Sequence, residues 1–282
     1  MAVPFRLPAK QQAQVTRQVK LKDRIAAHAA YQMEEVMEGA IDFIMSHWRL
    51  TGRYMDPSLV GMDEVMLKFY RSVLGAAYHS AKEEKTTQHP VKRLAKVKAP
   101  PALPEKLEDV FRNRKYWVRI MKRSKALTES LRKQYRRKLK FQFSKILPML
   151  TAGEVSPEQV KQALRQKWVA SKARVETIFR TESTAYFAEA QVSFFKDDDE
   201  IIGFLFDSVS DSSTTNICRS RHGLVYRPDT EQLKRNIPPC HFNCRSHLIA
   251  LANTPYNQKL LADPARDPSR RKVAPLPPGW RS

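Results

Sequence analysis

Three residues near the C-terminal end of this 282-residue chain have the side chains and spacing to do chemistry: Cys218, His241 and Cys244. All three cysteines fall in this stretch, Cys240 being the third, and His241-x-x-Cys244 follows directly on Pro238-Pro239-Cys240. Thiolate and imidazole are zinc donors, and Cys240, His222 and His247 lie near enough in sequence to supply a fourth. Only one side of the set has paired ligands, because Thr215 stands three residues before Cys218, where a partner cysteine would complete a knuckle. Without a metal, the same residues read as reduced, partly buried thiols. As an enzyme site, Cys218 would be a nucleophile with His241 or His222 as its base. An odd number of closely spaced cysteines suits free thiols or metal ligation better than a disulfide framework, and with it a reducing cytoplasm as the place of folding. No cofactor is expected, zinc being the one candidate that the residues offer.

The elements that must position these residues follow from periodicity. Ser156-Pro157-Glu158-Gln159 combines an N-cap serine, proline at the first helical position and a capping-box glutamine, and so predicts a helix start. A further helix is predicted from about Ser171 to Phe195, carrying Arg180, Thr181 and Glu182, whose side chains would tie it to neighbouring loops. Ile201–Asp207 is short and continuously apolar, as a buried strand is, and short strands are also expected at Leu224–Arg227 and Ser246–Leu251. Upstream, apolar residues from Ile25 to Trp48 recur at helical spacing, with Gly52 as the stop, and a second stripe runs from Val65 to Ala77. Two such helices joined by a short turn pack as a hairpin. The fold class is α+β, a predominantly helical N-terminal region followed by a small α+β domain. The expected divisions are a helical region 1–85, a Pro/Lys-rich linker 86–104, a long basic helix 105–150, the α+β domain 151–254 and a basic Pro-rich tail 255–282, disordered when alone.

Charge is the other strong signal. Fifty Lys and Arg against 29 Asp and Glu leave a formal +21, with a pI near 10.0. An excess of that size implies a polyanionic neighbour, most commonly nucleic acid, or else an acidic protein or a merely solvated surface. The candidates for nonspecific phosphate contact are Arg112, Arg114, Lys115, Arg119, Lys122, Arg123, Arg132, Lys133, Arg136, Arg137, Lys138 and Lys140 in the long helix, with Arg270, Arg271 and Lys272 in the tail. No base-reading motif accompanies them. No run of about eighteen apolar residues is present, so no membrane partner is expected, and Met1–Gln12 lacks the apolar stretch of a secretory signal.

The order of these features carries a resemblance. A helix with Arg180-Thr181-Glu182, an apolar strand, an Asp-bearing turn, a Cys segment ending at Gly223, and Pro238-Pro239 before His241-x-x-Cys244-Arg245 is similar to the C-terminal domain of the Mu F-like minor capsid proteins of tailed bacteriophages. The resemblance covers about residues 155–252. Thr215 and Ser246 stand where relatives often have cysteine, and Cys240 is an addition. It implies a non-enzymatic head morphogenesis protein, assembled in the host cytoplasm and held inside the virion head. It also implies action in procapsid assembly near the portal and in DNA packaging or ejection, with portal protein, capsid or scaffolding proteins and genomic DNA as partners. Two other classes compete: an ADP-ribosyltransferase-like enzyme or toxin-like effector, and a zinc-braced nucleic-acid-binding protein.

Overall fold

The computed structural model describes residues 9–59, 61–88, 114–195, 198–278 and 280. Helices α1 (Ala9–Thr51), α2 (Gly61–Gln88), α3 (Arg114–Thr151) and α4 (Pro157–Phe195) come first. They are followed by β1 (Ile201–Asp207), α5 (Asn216–Arg221), β2 (Val225–Tyr226), α6 (Glu231–Asn236), β3 (His247–Ala252) and α7 (Pro255–Ala262). The fold is therefore mainly helical, with a small C-terminal α+β domain. Two compact units are interleaved along the chain: one holds residues up to Ile25, Arg71–Arg114 and Arg180–Ser282, and the other holds Ala26–Tyr70 and Lys115–Phe179.

The second of these units is a helical bundle. Met33, Ile41 and Ile44 of α1, Met62, Met66 and Phe69 of α2, Leu131, Tyr135, Leu139 and Phe143 of α3, and Val160, Leu164 and Phe179 of α4 are all buried. Phe69 packs edge-on against Phe179 at 4.8 Å between centroids. Each large apolar side chain buried this way contributes roughly 2–3 kcal/mol. The predicted hairpin of α1 and α2 is present: a Cβ at Gly61 would approach Val36 Cγ2 to 2.9 Å, so a larger residue at that crossing would displace the Val36 side chain. Gly52, at φ 66°, closes α1 by donating its N–H to Trp48 O at 2.7 Å.

Two helices differ from expectation. α1 begins at Ala9, well before the apolar stripe, because the buried positions of its first turns are filled by Gln14, Gln18 and Lys22 as well as Val15. A stripe written partly in polar residues is invisible to apolar periodicity. α4 is one helix where two were expected. Its capping box forms as read, with Gln159 N–H donating to Ser156 Oγ at 3.2 Å and Ser156 N–H donating to Gln159 Oε1 at 2.7 Å. From Glu158 to Phe195 the sequence contains neither glycine nor proline, so nothing stops the helix near Ser171.

In the other unit the sheet has strand order β2-β1-β3, all antiparallel. Phe204, Phe206, Leu248 and Ala250 face one apolar cluster, and Leu205, Ile249 and Leu251 face the other, following the two-residue period of a strand. Burial on both faces explains why β1 reads as an unbroken apolar run. Cys218, Cys240 and Cys244 belong to the first cluster, while Val15 of α1 and Leu260 and Leu261 of α7 cover the second. Glu84 of α2 takes the Ala250 N–H of edge strand β3 and accepts a second bond from Gln191 Nε2 at 2.5 Å.

The described part of the tail packs against the rest of its unit. Thr254 caps α7 through the Asn257 N–H at 3.2 Å, with Pro255 at the first helical position. Beyond it, Val273 and Leu276 pack on the first apolar cluster. Ala274 O accepts from Arg221 at 2.8 Å, and Trp280 Nε1 donates to Pro239 O at 2.9 Å. Tertiary partners supply the burial that the segment alone lacks.

Candidate functional site

The site lies in the unit that carries the sheet, and its donors are set by two short elements. Thr215 caps α5 by accepting the Cys218 N–H at 3.4 Å, which fixes Cys218 in the first turn of that helix. His241 and Cys244 lie on the segment that follows the cis Pro238–Pro239 bond. Arg180, Thr181 and Thr184 of α4 hold the backbone of that segment. Thr181 Oγ1 accepts the Asn243 N–H at 2.8 Å, Arg180 donates to Asn243 Oδ1 at 2.8 Å and pairs with Asp23 at 3.1 Å, and Thr184 Oγ1 donates to Cys244 O at 2.7 Å. Asn243 sits in the left-handed region at φ 60°, which asparagine tolerates better than most residues. Glu182 is half-buried beside these residues in sequence. Gly223, at φ 79°, turns the chain after α5 and donates its N–H to Phe206 O at 2.9 Å.

The three sequence-predicted donors come together. Cys218 Sγ is 3.1 Å from His241 Nε2 and 3.6 Å from Cys244 Sγ, and all three ligand atoms lie within 4.8 Å of one another. His241 Nδ1 is 2.7 Å from Phe242 O. A carbonyl only accepts, so Nδ1 carries the proton and the Nε2 lone pair faces the thiols. Arg245 makes a two-pronged pair with Asp211 at 2.6 and 2.7 Å, tying the 208–215 loop to the segment. A small polar pocket lined by Ser213, Thr214, Thr215, Asn243 and Arg245 opens onto Cys218 and His241.

Electrostatically the thiols are held neutral. The Cys218 thiol, then burial, push Cys244 up to about 12, and Cys218 is raised chiefly by its neighbour Cys240. His241 is raised, mainly by its hydrogen bond with Cys244. A nucleophilic cysteine needs a lowered pKa, and the shift at Cys218 runs the other way. What the arrangement can do is exchange two protons for a divalent cation.

His222 and His247, both possible fourth donors from sequence, lie instead on Asp207. Its carboxylate oxygens are 3.2 Å from His222 Nδ1 and 3.1 Å from His247 Nε2. Burial alone would raise the Asp207 pKa, but the two imidazoles outweigh it and hold the carboxyl well below the usual carboxylate range. His222 Nδ1 is also 3.2 Å from the Ser208 N–H. One nitrogen cannot donate to Asp207 and accept from Ser208 together, so the position of the Nδ1 proton decides which of the two contacts is a hydrogen bond.

Sequence reasoning missed Lys22. It is 2% exposed, with Nζ 3.5 Å from Ser246 O and 5.4 Å from the Phe187 ring centroid. Desolvation lowers it to about 8, against opposing pulls from Cys244 and Asp23. A lysine at a helical apolar-face position is the only sequence signal for it, and it is a weak one.

The basic residues are dispersed. On α3, Lys122, Lys133, Arg137 and Lys140 are exposed and follow at steps of eleven, four and three residues, which places them on one face opposite buried Leu131, Tyr135 and Leu139. Arg123 and Lys138 are exposed at other angles around the helix. Arg132 pairs with Asp63 and Glu129, and Arg136 donates to Pro57 O and Ser58 O at 2.9 and 3.0 Å, so both hold the bundle together. Arg112 lies outside the described residues. Arg114, Lys115 and Arg119 are described only as helical backbone. In the tail, Lys272 and Arg270 are exposed, Arg270 beside Asp267 at 3.5 Å, while Arg271 donates to His222 O at 3.4 Å. No helix among the described residues is long and apolar enough to cross a membrane.

Buried thiols and a half-buried imidazole are thus held beside one long helix, on a small antiparallel sheet. Residues 144–249 match the family model described as Phage Mu protein F like protein, so the C-terminal part of the chain is a Mu F-like domain. That family suggests a phage head morphogenesis protein with a structural role. No curated protein and no solved structure matches the chain.

Proposed function

We propose that the protein is a minor capsid protein of a tailed bacteriophage that joins the procapsid near the portal, meets capsid or scaffolding proteins there, and contacts packaged DNA nonspecifically. The observation that carries this reading is the Mu F-like domain at 144–249 in a chain of net charge +21. Inside a shell filled with DNA, such a chain neutralises phosphates and releases counterions whatever the base sequence. Lys122, Lys133, Arg137 and Lys140 share one exposed face of α3 for that contact, with Lys272 as a second contact point. Arg132 and Arg136 are spent on internal contacts and are withdrawn from the set.

Two measurements test the proposal. Pull-down of the full chain from infected or reconstituted lysates recovers portal protein and head particles, and its absence from both overturns the assembly role. Binding to duplex DNA of arbitrary sequence weakens with salt, with a log–log slope of about −3.6 if four phosphates are neutralised. A slope near zero overturns the DNA contact.

A further inference from the structure

The thiol and imidazole cluster has the dimensions of a metal site. Zinc binds sulfur at about 2.3 Å and imidazole nitrogen at about 2.0 Å, so tetrahedral ligand-to-ligand edges are about 3.5–3.8 Å. The Cys218–Cys244 separation of 3.6 Å falls within that range, and the Cys218–His241 separation of 3.1 Å reaches it with a small outward shift. We propose that Cys218, His241 and Cys244 bind one zinc ion, with the fourth position left to a water in the polar pocket. Nothing in the family match assigns this site.

Four independent features support it. First, the lone pair that a metal needs is already aimed, because the proton on His241 Nδ1 is held by Phe242 O; this is the outer contact that fixes a ligating imidazole. Second, the backbone on which His241 and Cys244 stand is over-determined by Thr181, Arg180 and Thr184, so the donors are held together before any ion arrives. Third, two thiolates would cancel the charge of the dication. Fourth, the pocket bounded by Ser213, Thr214 and Thr215 gives the remaining coordination position room and polar partners. Cys240 is 1% exposed within the apolar cluster and is not one of the donors whose ligand atoms converge, although its thiol influences Cys218. The bound ion would clip α5 to the Pro238–Arg245 segment, elements separated by the sixteen residues 222–237.

The test uses the full chain, purified without chelator. Elemental analysis should give about one zinc per chain, and cobalt substitution should give the intense near-ultraviolet band of thiolate-to-cobalt charge transfer. His241→Ala should lose at least nine-tenths of the metal, and Cys218→Ser should lose it as well, while Cys240→Ser keeps it. His241 is only half-buried and outside the apolar clusters, so its removal leaves the core packing in place. Should either variant fail to fold, cobalt titration of the unaltered protein decides alone. A folded wild-type chain with no zinc and no charge-transfer band overturns the proposal, as does a Cys218–Cys244 disulfide found by mass spectrometry in protein kept reduced. Loss of the band in a folded Cys240→Ser variant overturns the open fourth position.

Discussion

The basic face of α3 and the cluster around Cys218 use side chains in opposite ways. Lys122, Lys133, Arg137 and Lys140 share a helix face but are exposed and held by no common framework. Cys218, His241 and Cys244 are positioned by a cap, a carbonyl and side chains of α4. A phosphate backbone asks only for positive charge at roughly regular spacing, whereas coordination or tight packing asks for defined angles. Function carried by the first kind of surface survives most single substitutions. Function carried by the second is lost with one.

The largest expected effect separates the two regions directly. Reversing Lys122, Lys133, Arg137 and Lys140 to Glu together should weaken binding to duplex DNA by about 1,000-fold at low salt, since several phosphate contacts are lost and repulsion replaces them. Thermal denaturation should barely change, as these are surface positions. Fluorescence anisotropy and a melting curve on the same samples check both halves. An equal loss of affinity on Cys244→Ser would erase the distinction.

A second, smaller effect probes how α2 is fixed to the sheet. Glu84 is wholly buried, and desolvation pushes it up to about 8 even though the Ala250 and Gln191 hydrogen bonds pull the other way. In the unfolded chain it ionises near 4.3. Its folded pKa is therefore the higher one, and the stability it contributes, full below the unfolded pKa, is lost as pH rises toward 8. Glutamine does not titrate, so Glu84→Gln should gain on the wild type between pH 5 and pH 8.5, by on the order of 2–3 kcal/mol in urea unfolding. A pH-independent difference would show that the carboxylate stays charged in the fold.

The smallest effect belongs to the bracing of the cluster. Thr184→Val keeps the shape but removes the donor to Cys244 O, leaving a buried carbonyl unpaired, at a cost of about 1–2 kcal/mol. Urea midpoints check it, and DNA affinity should not move.

Much of this was legible before the structure. The continuous apolar run of β1, the capping box at Ser156 and the stop at Gly52 are local signals, and local backbone physics reads them directly. The convergence of Cys218 with His241 and Cys244 was visible as a set of donor types, because chemistry limits which residues share a site. Its framework was not. Thr184 and Lys22 are ordinary polar residues far away in sequence, and only packing gives them partners. The contacts of the tail were hidden for the same reason: composition reports what a segment can bury alone, and Val273, Leu276 and Trp280 pack against other parts of the chain.

Trp280 has a practical consequence. Its indole donates to Pro239 O and stands edge-on to Phe242 at 4.9 Å, next to the residue that carries Nε2 toward the thiols. Indole emission shifts with local polarity and hydrogen bonding, so the chain carries an intrinsic optical probe of the 238–244 segment. Comparing the emission of the unaltered protein with that of Trp280→Phe would isolate this signal from the other three tryptophans. It would then follow movement of the loop in real time, without any attached label.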